Sequence, residues 1–275
     1  MSSATPDVPS PTVAERWRWL RPRSMAVGFF AGLLNAMVGI GGGIVIVPGL
    51  IFVAKLQTRQ AIATSLGAIL FLSGFALTIH LILDGFHYSV PGLVLLLLGG
   101  FFGAQGGGIV LNRTSQRVVL MVFSTVTLLF SAQLIAMTLD LIPALLVAPE
   151  APPLWGYPLI GVIAGFFSGL LGIGGGGMVI LGFALIFQVP VLGGLPLALS
   201  VNVANATSGV LAQRGKGLVQ WREVWRLVPA ALAGIGVGTI GAMVLHADTL
   251  RIVFAFFFGY MGLRVLLRTL RSTAP

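Results

Sequence analysis

Gly32 to Gly43 reads GLLNAMVGIGGG, and Gly165 to Gly176 reads GFFSGLLGIGGG. The two stretches share Gly32/Gly165 and the whole Gly-Ile-Gly-Gly-Gly run, at Gly39–Gly43 and again at Gly172–Gly176. Each run sits in the middle of an apolar segment, 25–54 or 157–187. Both segments are too long for one ordinary membrane crossing of about 20 residues. Glycine inside a helix costs about 1 kcal/mol relative to alanine. Gly41, Gly42 and Gly43, and likewise Gly174 to Gly177, therefore break each segment into two half-helices. Half-helices of about 14 residues suit re-entrant elements, and such breaks are tolerated at membrane depth only where they are buried in protein or line a cavity.

The echo between the two stretches extends along the chain. Ala61–Leu66 (AIATSL) resembles Ala198–Val203 (ALSVNV), Gly99 and Gly103 pair with Gly234 and Gly238, and Arg117 pairs with Arg251. Four apolar segments (25–54, 61–83, 90–111, 118–139) are thus followed by four more (157–187, 195–212, 227–246, 250–267). Duplication of a membrane unit is the economical reading. It divides the chain into a polar tail, 1–23, a first membrane repeat, 24–139, a linker, 140–156, and a second repeat, 157–271. The linker holds four prolines and two acids.

Composition supports a membrane protein. Of 275 residues, 57% are hydrophobic and only 8% charged, against roughly 25% charged in an average soluble domain; mean hydropathy is +1.02. A soluble globule and a disordered chain are excluded. So is a nucleic-acid binder, despite a pI near 11.5, because the basic residues sit in short clusters at segment ends. With no cysteine, neither a disulfide framework nor a thiolate metal site is available. The Arg-rich start before an apolar run has no small-residue cleavage site and is read as structure rather than signal peptide.

The basic clusters also choose a topology. If segments 25–54 and 157–187 each cross once, Lys55, Arg59, Arg113, Arg117 and Arg251 fall opposite the N-terminus. If both return to their starting side, every Lys and Arg except Arg251 shares the side of the N-terminus. The positive-inside tendency favours the second arrangement. Three full crossings then remain per half, so the repeats are inverted, a recurrent transporter design in which broken helices meet near the midplane. The fold class expected is an all-α polytopic membrane protein of two inverted repeats, each with a glycine-broken helix pair and three transmembrane helices.

The chemistry available at midplane is neutral. All seven acids (Asp7, Glu15, Asp84, Asp140, Glu150, Glu223, Asp248) lie in tails, loops or segment ends, which argues against a carboxylate proton relay. His80 and His246 sit near segment ends and His87 in a loop, with no metal-ligand spacing. A broken helix exposes backbone N–H groups and a positive dipole end, an anion site that needs no charged side chain. Candidate site residues are Gly41, Gly42, Gly43, Gly174, Gly175 and Gly176 for their N–H groups, with Asn35, Thr64, Ser65, Ser168, Asn202 and Asn205 from the neutral polar set. Asn35 and Ser168 are repeat equivalents, as are Ser65 and Asn202. Gly172-x-Gly174-x-x-Gly177 fits a dinucleotide fingerprint by letter, but no βαβ unit surrounds it and no acid follows before Glu223. An intramembrane serine enzyme is not expected either: Ser73, Ser168 and Ser208 precede glycine, but none has glycine two residues before it.

The doubled Gly-Ile-Gly-Gly-Gly motif, the Ala63-Thr64-Ser65-Leu66 that follows the first copy, and the four-plus-four segments resemble the sulfite exporter TauE/SafE family of membrane permeases. The resemblance runs over residues 25–270. It implies movement of sulfite, sulfonates or related sulfur or carboxylate anions across a bacterial inner membrane, with a small anionic substrate, the lipid bilayer as surroundings and no cofactor; the basic clusters place both termini in the cytoplasm. A homodimer is compatible with it. The alternatives are a permease for small organic carboxylates and a non-transporting assembly subunit.

Topology is directly testable, because single cysteines can be placed in a chain that has none. With an impermeant maleimide on intact cells, cysteines at Tyr88 and Pro152 should label, and those at Gln57 and Gly215 should be protected. Labelling at Gln57 with protection at Tyr88 would make the repeats parallel.

Overall fold

The computed structural model describes residues 22–84, 89–139, 153–186, 195–244 and 247–271. Most of the polar tail and of the 140–156 linker, with His87, His246, Asp140 and Glu150, lies outside the described residues. Among the described residues every regular element is a helix.

The first half holds α1 (Pro22–Val38), α2 (Gly43–Phe52), α3 (Thr58–Asp84), α4 (Val90–Arg113) and α5 (Gln116–Thr138). The second holds α6 (Gly156–Leu171), α7 (Gly176–Ile186), α8 (Leu195–Ala212), α9 (Trp221–Val244) and α10 (Ala247–Arg271). Six of these, α3, α4, α5, α8, α9 and α10, are long and apolar enough to cross a membrane. The shorter helices flank the glycine runs. Start signals are local: Ser115 caps α5 by accepting from the Val118 N–H, and Pro91 occupies the first turn of α4.

Each short pair doubles back on itself. Gly49 of α2 faces the Val27 side chain of α1, and Gly42 faces the Ala31 carbonyl. The same contacts recur in the second half, where Gly182 faces Ile160 and Gly175 faces the Ala164 carbonyl. In both halves the partners stand at matching places relative to the glycine run.

The halves are interlocked rather than side by side. α1 packs along α9, with Gly28 against Leu227 and Gly32 against Ala231, while α6 packs along α4, with Gly161 against Leu96 and Gly165 against Gly100. Each contact brings a glycine of one helix onto the backbone of the other. Without a hydrophobic driving force between helices in lipid, small residues that let backbones approach are what holds such pairs. These contacts also set the correspondence between α4 and α9. Gly103 and Gly107 face the Val162 and Phe166 carbonyls, as Gly234 and Gly238 face those of Phe29 and Leu33. Gly234 and Gly238 therefore correspond to Gly103 and Gly107, one helical turn beyond the sequence pairing with Gly99 and Gly103. Glycine every fourth residue makes the two registers alike on paper; only contact with the partner helix separates them.

Close packing predicts a contrast between helix glycines. A methyl group on Gly165 would lie 2.8 Å from the Gly100 carbonyl carbon, whereas one on Gly74 would meet nothing within 4 Å. Gly165→Ala should destabilise by about 1–3 kcal/mol through overpacking, and Gly74→Ala should be neutral or gain up to about 1 kcal/mol. Thermal unfolding of both variants in detergent checks the difference; equal stability would remove the interlock.

Candidate functional site: two facing helix breaks

The broken segments end and restart in the same way. At the end of α1 the Gly39 N–H donates to the Asn35 carbonyl at 3.0 Å, and at the end of α6 the Gly172 N–H donates to the Ser168 carbonyl at 2.7 Å. Both glycines are left-handed, with φ 69° and 71°. Gly41 and Gly174 follow at φ 92° and 95°, then Gly42 and Gly175 at φ 70° and 106°. A side chain at any of these positions would cost about 1–2 kcal/mol in backbone strain, which is the local reason for the glycine runs. α2 then starts with the Val45 and Ile46 N–H groups on the Gly42 carbonyl, and α7 with the Val179 N–H on that of Gly175.

The two breaks lie against each other. A methyl on Gly41 would sit 3.2 Å from the Gly174 Cα, and one on Gly174 would sit 3.3 Å from the Gly41 Cα. Gly43 abuts the Gly172 carbonyl, and Gly176 abuts that of Gly39. Every contact has its repeat counterpart, and Gly39 to Gly43 and Gly172 to Gly177 are all buried.

Polar side chains from α3 and α8 bind the broken ends. Asn202 accepts from the Gly176 N–H through Oδ1 at 2.6 Å and donates from Nδ2 to the Gly39 carbonyl at 2.9 Å. Its counterpart Ser65 donates from Oγ to the Gly172 carbonyl at 2.7 Å. Gly39 and Gly172 are themselves counterparts, so the same bond is made twice by different residue types. Asn205 donates to the Gly174 carbonyl at 3.0 Å. These bonds satisfy carbonyls and an N–H left unpaired where helices stop.

Of the remaining candidates, Asn35 and Ser168 flank the breaks fully buried. Asn35 Oδ1 accepts from Ser73 Oγ at 3.4 Å, while Asn35 Nδ2 and Ser168 Oγ have no hydrogen-bond partner. Thr64 stands apart from this group: its Oγ1 accepts from the Gln220 N–H at 3.0 Å and so anchors the approach to α9. Sequence reading missed Ser73 as a partner of Asn35. It also missed Gly100, which faces the Asn205 carboxamide oxygen and was legible only as one glycine among several in α4. Thr207 bonds within its own helix to the Val203 carbonyl, and Ser208 bonds the Phe101 carbonyl of α4. Among the described residues no group of three or more His, Cys, Asp or Glu could hold a metal ion.

Six membrane-length helices enclosing two short broken pairs, with a neutral polar centre, mark a polytopic membrane protein of the transporter type. The chain belongs to the sulfite exporter TauE/SafE family, whose model matches residues 24–193 and again 157–275. It is 27% identical over 241 residues to YunE, a probable membrane transporter protein of Bacillus subtilis, covering 80% of this chain and 86% of that one. It is also 28% identical over 194 residues to a probable membrane transporter protein of Methanocaldococcus jannaschii, covering 69% and 70% of the two chains. No solved structure gives a significant match.

The bonding pattern orders two substitutions. Asn202→Ala removes two buried bonds and leaves the Gly176 N–H and the Gly39 carbonyl unpaired, whereas Ser65→Ala removes one. At about 1 kcal/mol per bond, Asn202→Ala should lower stability by roughly twice as much. Thermal unfolding in detergent measures both, and a smaller loss for Asn202→Ala would displace it from its bridging role.

Proposed function

We propose that this membrane transporter is a secondary permease for small oxyanions in a bacterial inner membrane, with sulfite and sulfonates as the leading substrates. The observation that carries the proposal is the pair of facing helix breaks flanked by two orphaned polar groups at equivalent positions, Asn35 Nδ2 and Ser168 Oγ. A buried polar group without a partner costs about 1–3 kcal/mol. Two such groups beside broken helix ends are consistent with a site whose partner arrives from outside the chain.

Asn202 suggests how the site works. Its carboxamide oxygen occupies the N–H of Gly176 at the start of α7, the position an anion's oxygen would take at a helix N-terminus. In this reading the structure is the closed form, with the side chain standing in for substrate. Separating Gly41 from Gly174 would break the Asn202 bond to Gly39 and leave the carboxamide able to turn from the Gly176 N–H, and an incoming anion would replace it while Asn35 Nδ2 and Ser168 Oγ donate to its remaining oxygens. Specificity for anions would come from backbone dipoles, so neither a buried base nor a metal is required, and no covalent step is involved.

Opposed orientation of the repeats has support in the contacts. α1 runs alongside and in the direction of α9, α6 runs likewise with α4, and α9 starts beside the first turns of α3, where Thr64 bonds Gln220. Arg59, near the start of α3, donates to the Thr114 carbonyl after α4 at 3.0 Å, so α3 and α4 run oppositely. α1 and α6 then point in opposite directions, as alternating access between two inverted repeats requires. The basic end, with Lys55, Arg117 and Arg268, would face the cytoplasm.

Proteoliposome flux tests the proposal. Purified protein should catalyse uptake of labelled sulfite or a small sulfonate above protein-free vesicles, with a small carboxylate as the competing substrate in the panel. Gly175→Leu should reduce flux to background while the protein still inserts, because the side chain would meet Asn205 and the Ala164 carbonyl at a left-handed position. Wild-type flux in Gly175→Leu, or flux for none of these anions, would overturn it.

A further inference from the structure

We propose a second anion site, distinct from the helix breaks, in the basic pocket between α2, α5 and α10; its ligand is a phosphate-type oxyanion, carried by a lipid headgroup or free in solution. The pocket encloses about 500 Å³. Its rim carries Lys55, Arg117 and Arg268, and no acidic residue lines it. Its inner wall is apolar, with Ile51, Leu120 and Val265. The site lies at the far end of α2 from the break, about 13 Å along the helix at 1.5 Å per residue.

Three features distinguish this pocket from an ordinary basic surface. Among the described side chains the only carboxylate is Glu223, which pairs with Arg226, so no described acid neutralises Lys55, Arg117 or Arg268. Lys55 has φ 59°, the one non-glycine residue with positive φ among those described. Such strain costs of order 1–3 kcal/mol and concentrates at functional positions. Arg268 is held in place, its guanidinium 4.8 Å from the centre of the Phe52 ring, with Arg264 at 4.9 Å from the same ring. A stacked guanidinium keeps its N–H fork free for bidentate contact with phosphate oxygens.

The neighbourhood fits a headgroup attached to acyl chains. A smaller adjoining pocket of about 370 Å³ shares Phe52 and Arg268 and adds Arg264 and Arg271. Beside it Leu263, Leu267 and Leu270 of α10 are exposed, an apolar surface on which chains could lie. Basic pockets between transmembrane helices on the cytoplasmic side are suited to anionic headgroups. The inference does not depend on which anion the protein transports.

The test uses the full chain, purified delipidated and reconstituted in nanodiscs of phosphatidylcholine with or without phosphatidylglycerol or cardiolipin. Retained lipid is read by native mass spectrometry, and thermal unfolding is followed in neutral detergent with added inorganic phosphate. For a headgroup, anionic lipid should be retained by the wild type. Lys55→Gln, Arg117→Gln and Arg268→Gln should each weaken retention about fivefold, the loss expected for one basic side chain near an anionic surface. For a free anion, phosphate alone should raise the unfolding temperature of the wild type, and the same three variants should lose the shift. Arg214→Gln with Lys216→Gln, which removes two cations from the 213–217 turn outside the pocket, should leave both readouts unchanged. Unfolding temperature without ligand shows that each variant is folded, and Arg268→Lys, which keeps the charge but loses the fork, should be intermediate. Absence of both lipid retention and a phosphate shift would overturn the site, as would equal losses in the Arg214/Lys216 control.

Discussion

A helix that stops inside a membrane leaves backbone N–H and C=O groups that no water can reach, and the rest of this structure follows from meeting that demand. Here polar side chains of α3 and α8 meet it where the two breaks pack together. The glycine runs touch, and the carbonyls of Gly39 and Gly172, left without a helical partner, receive Asn202 and Ser65. A break of this kind is unstable alone. Two of them back to back, with a polar residue from each neighbouring helix, form a closed unit.

That unit has to be held from outside, and α4 and α9 do this. Each presents a line of glycines to the broken pair of the other half, so α1 is clasped by α9 and α6 by α4. Backbone-to-backbone contact leaves little room for sliding, since a shift of one residue would put a side chain where a glycine stood. The long helices therefore fix the position of the breaks, although none of their own backbone is interrupted there. At the opposite end of α2 the cations collect, with Phe52 serving as the platform for Arg264 and Arg268.

Much of this was legible in the residues. Glycine runs weaken a helix without always ending it, since Gly106–Gly108 continue α4; the two breaks were legible because Gly39–Gly43 and Gly172–Gly176 match each other inside overlong apolar segments, which also announces a repeat. The pairing of Ser65 with Asn202 was legible as well, from the alignment of AIATSL with ALSVNV. What these two residues do was not. A buried serine or asparagine reads equally as helix glue or as ligand, and only the placement of Gly39 and Gly172 opposite them decides which carbonyls they bind. Thr64 shows the same limit: it is adjacent to Ser65, yet one residue of helix rotation turns it toward Gln220. The correspondence of α4 with α9 differs by one turn from the sequence pairing because Gly99, Gly103 and Gly107 are interchangeable until a partner helix is present.

The two-fold likeness of the closed centre is incomplete at one position. Asn202 and Ser65 each make one bond between the halves, to Gly39 and Gly172, and Asn202 adds a second within its own half, from the Gly176 N–H. A net bond is worth about 1 kcal/mol, which corresponds to roughly a fivefold difference in population. The extra bond fastens the start of α7 to α8, so the two short helices are held unequally although their glycine runs match. The exchange of one small polar residue for another thus makes two repeats of like backbone unequal in local stability.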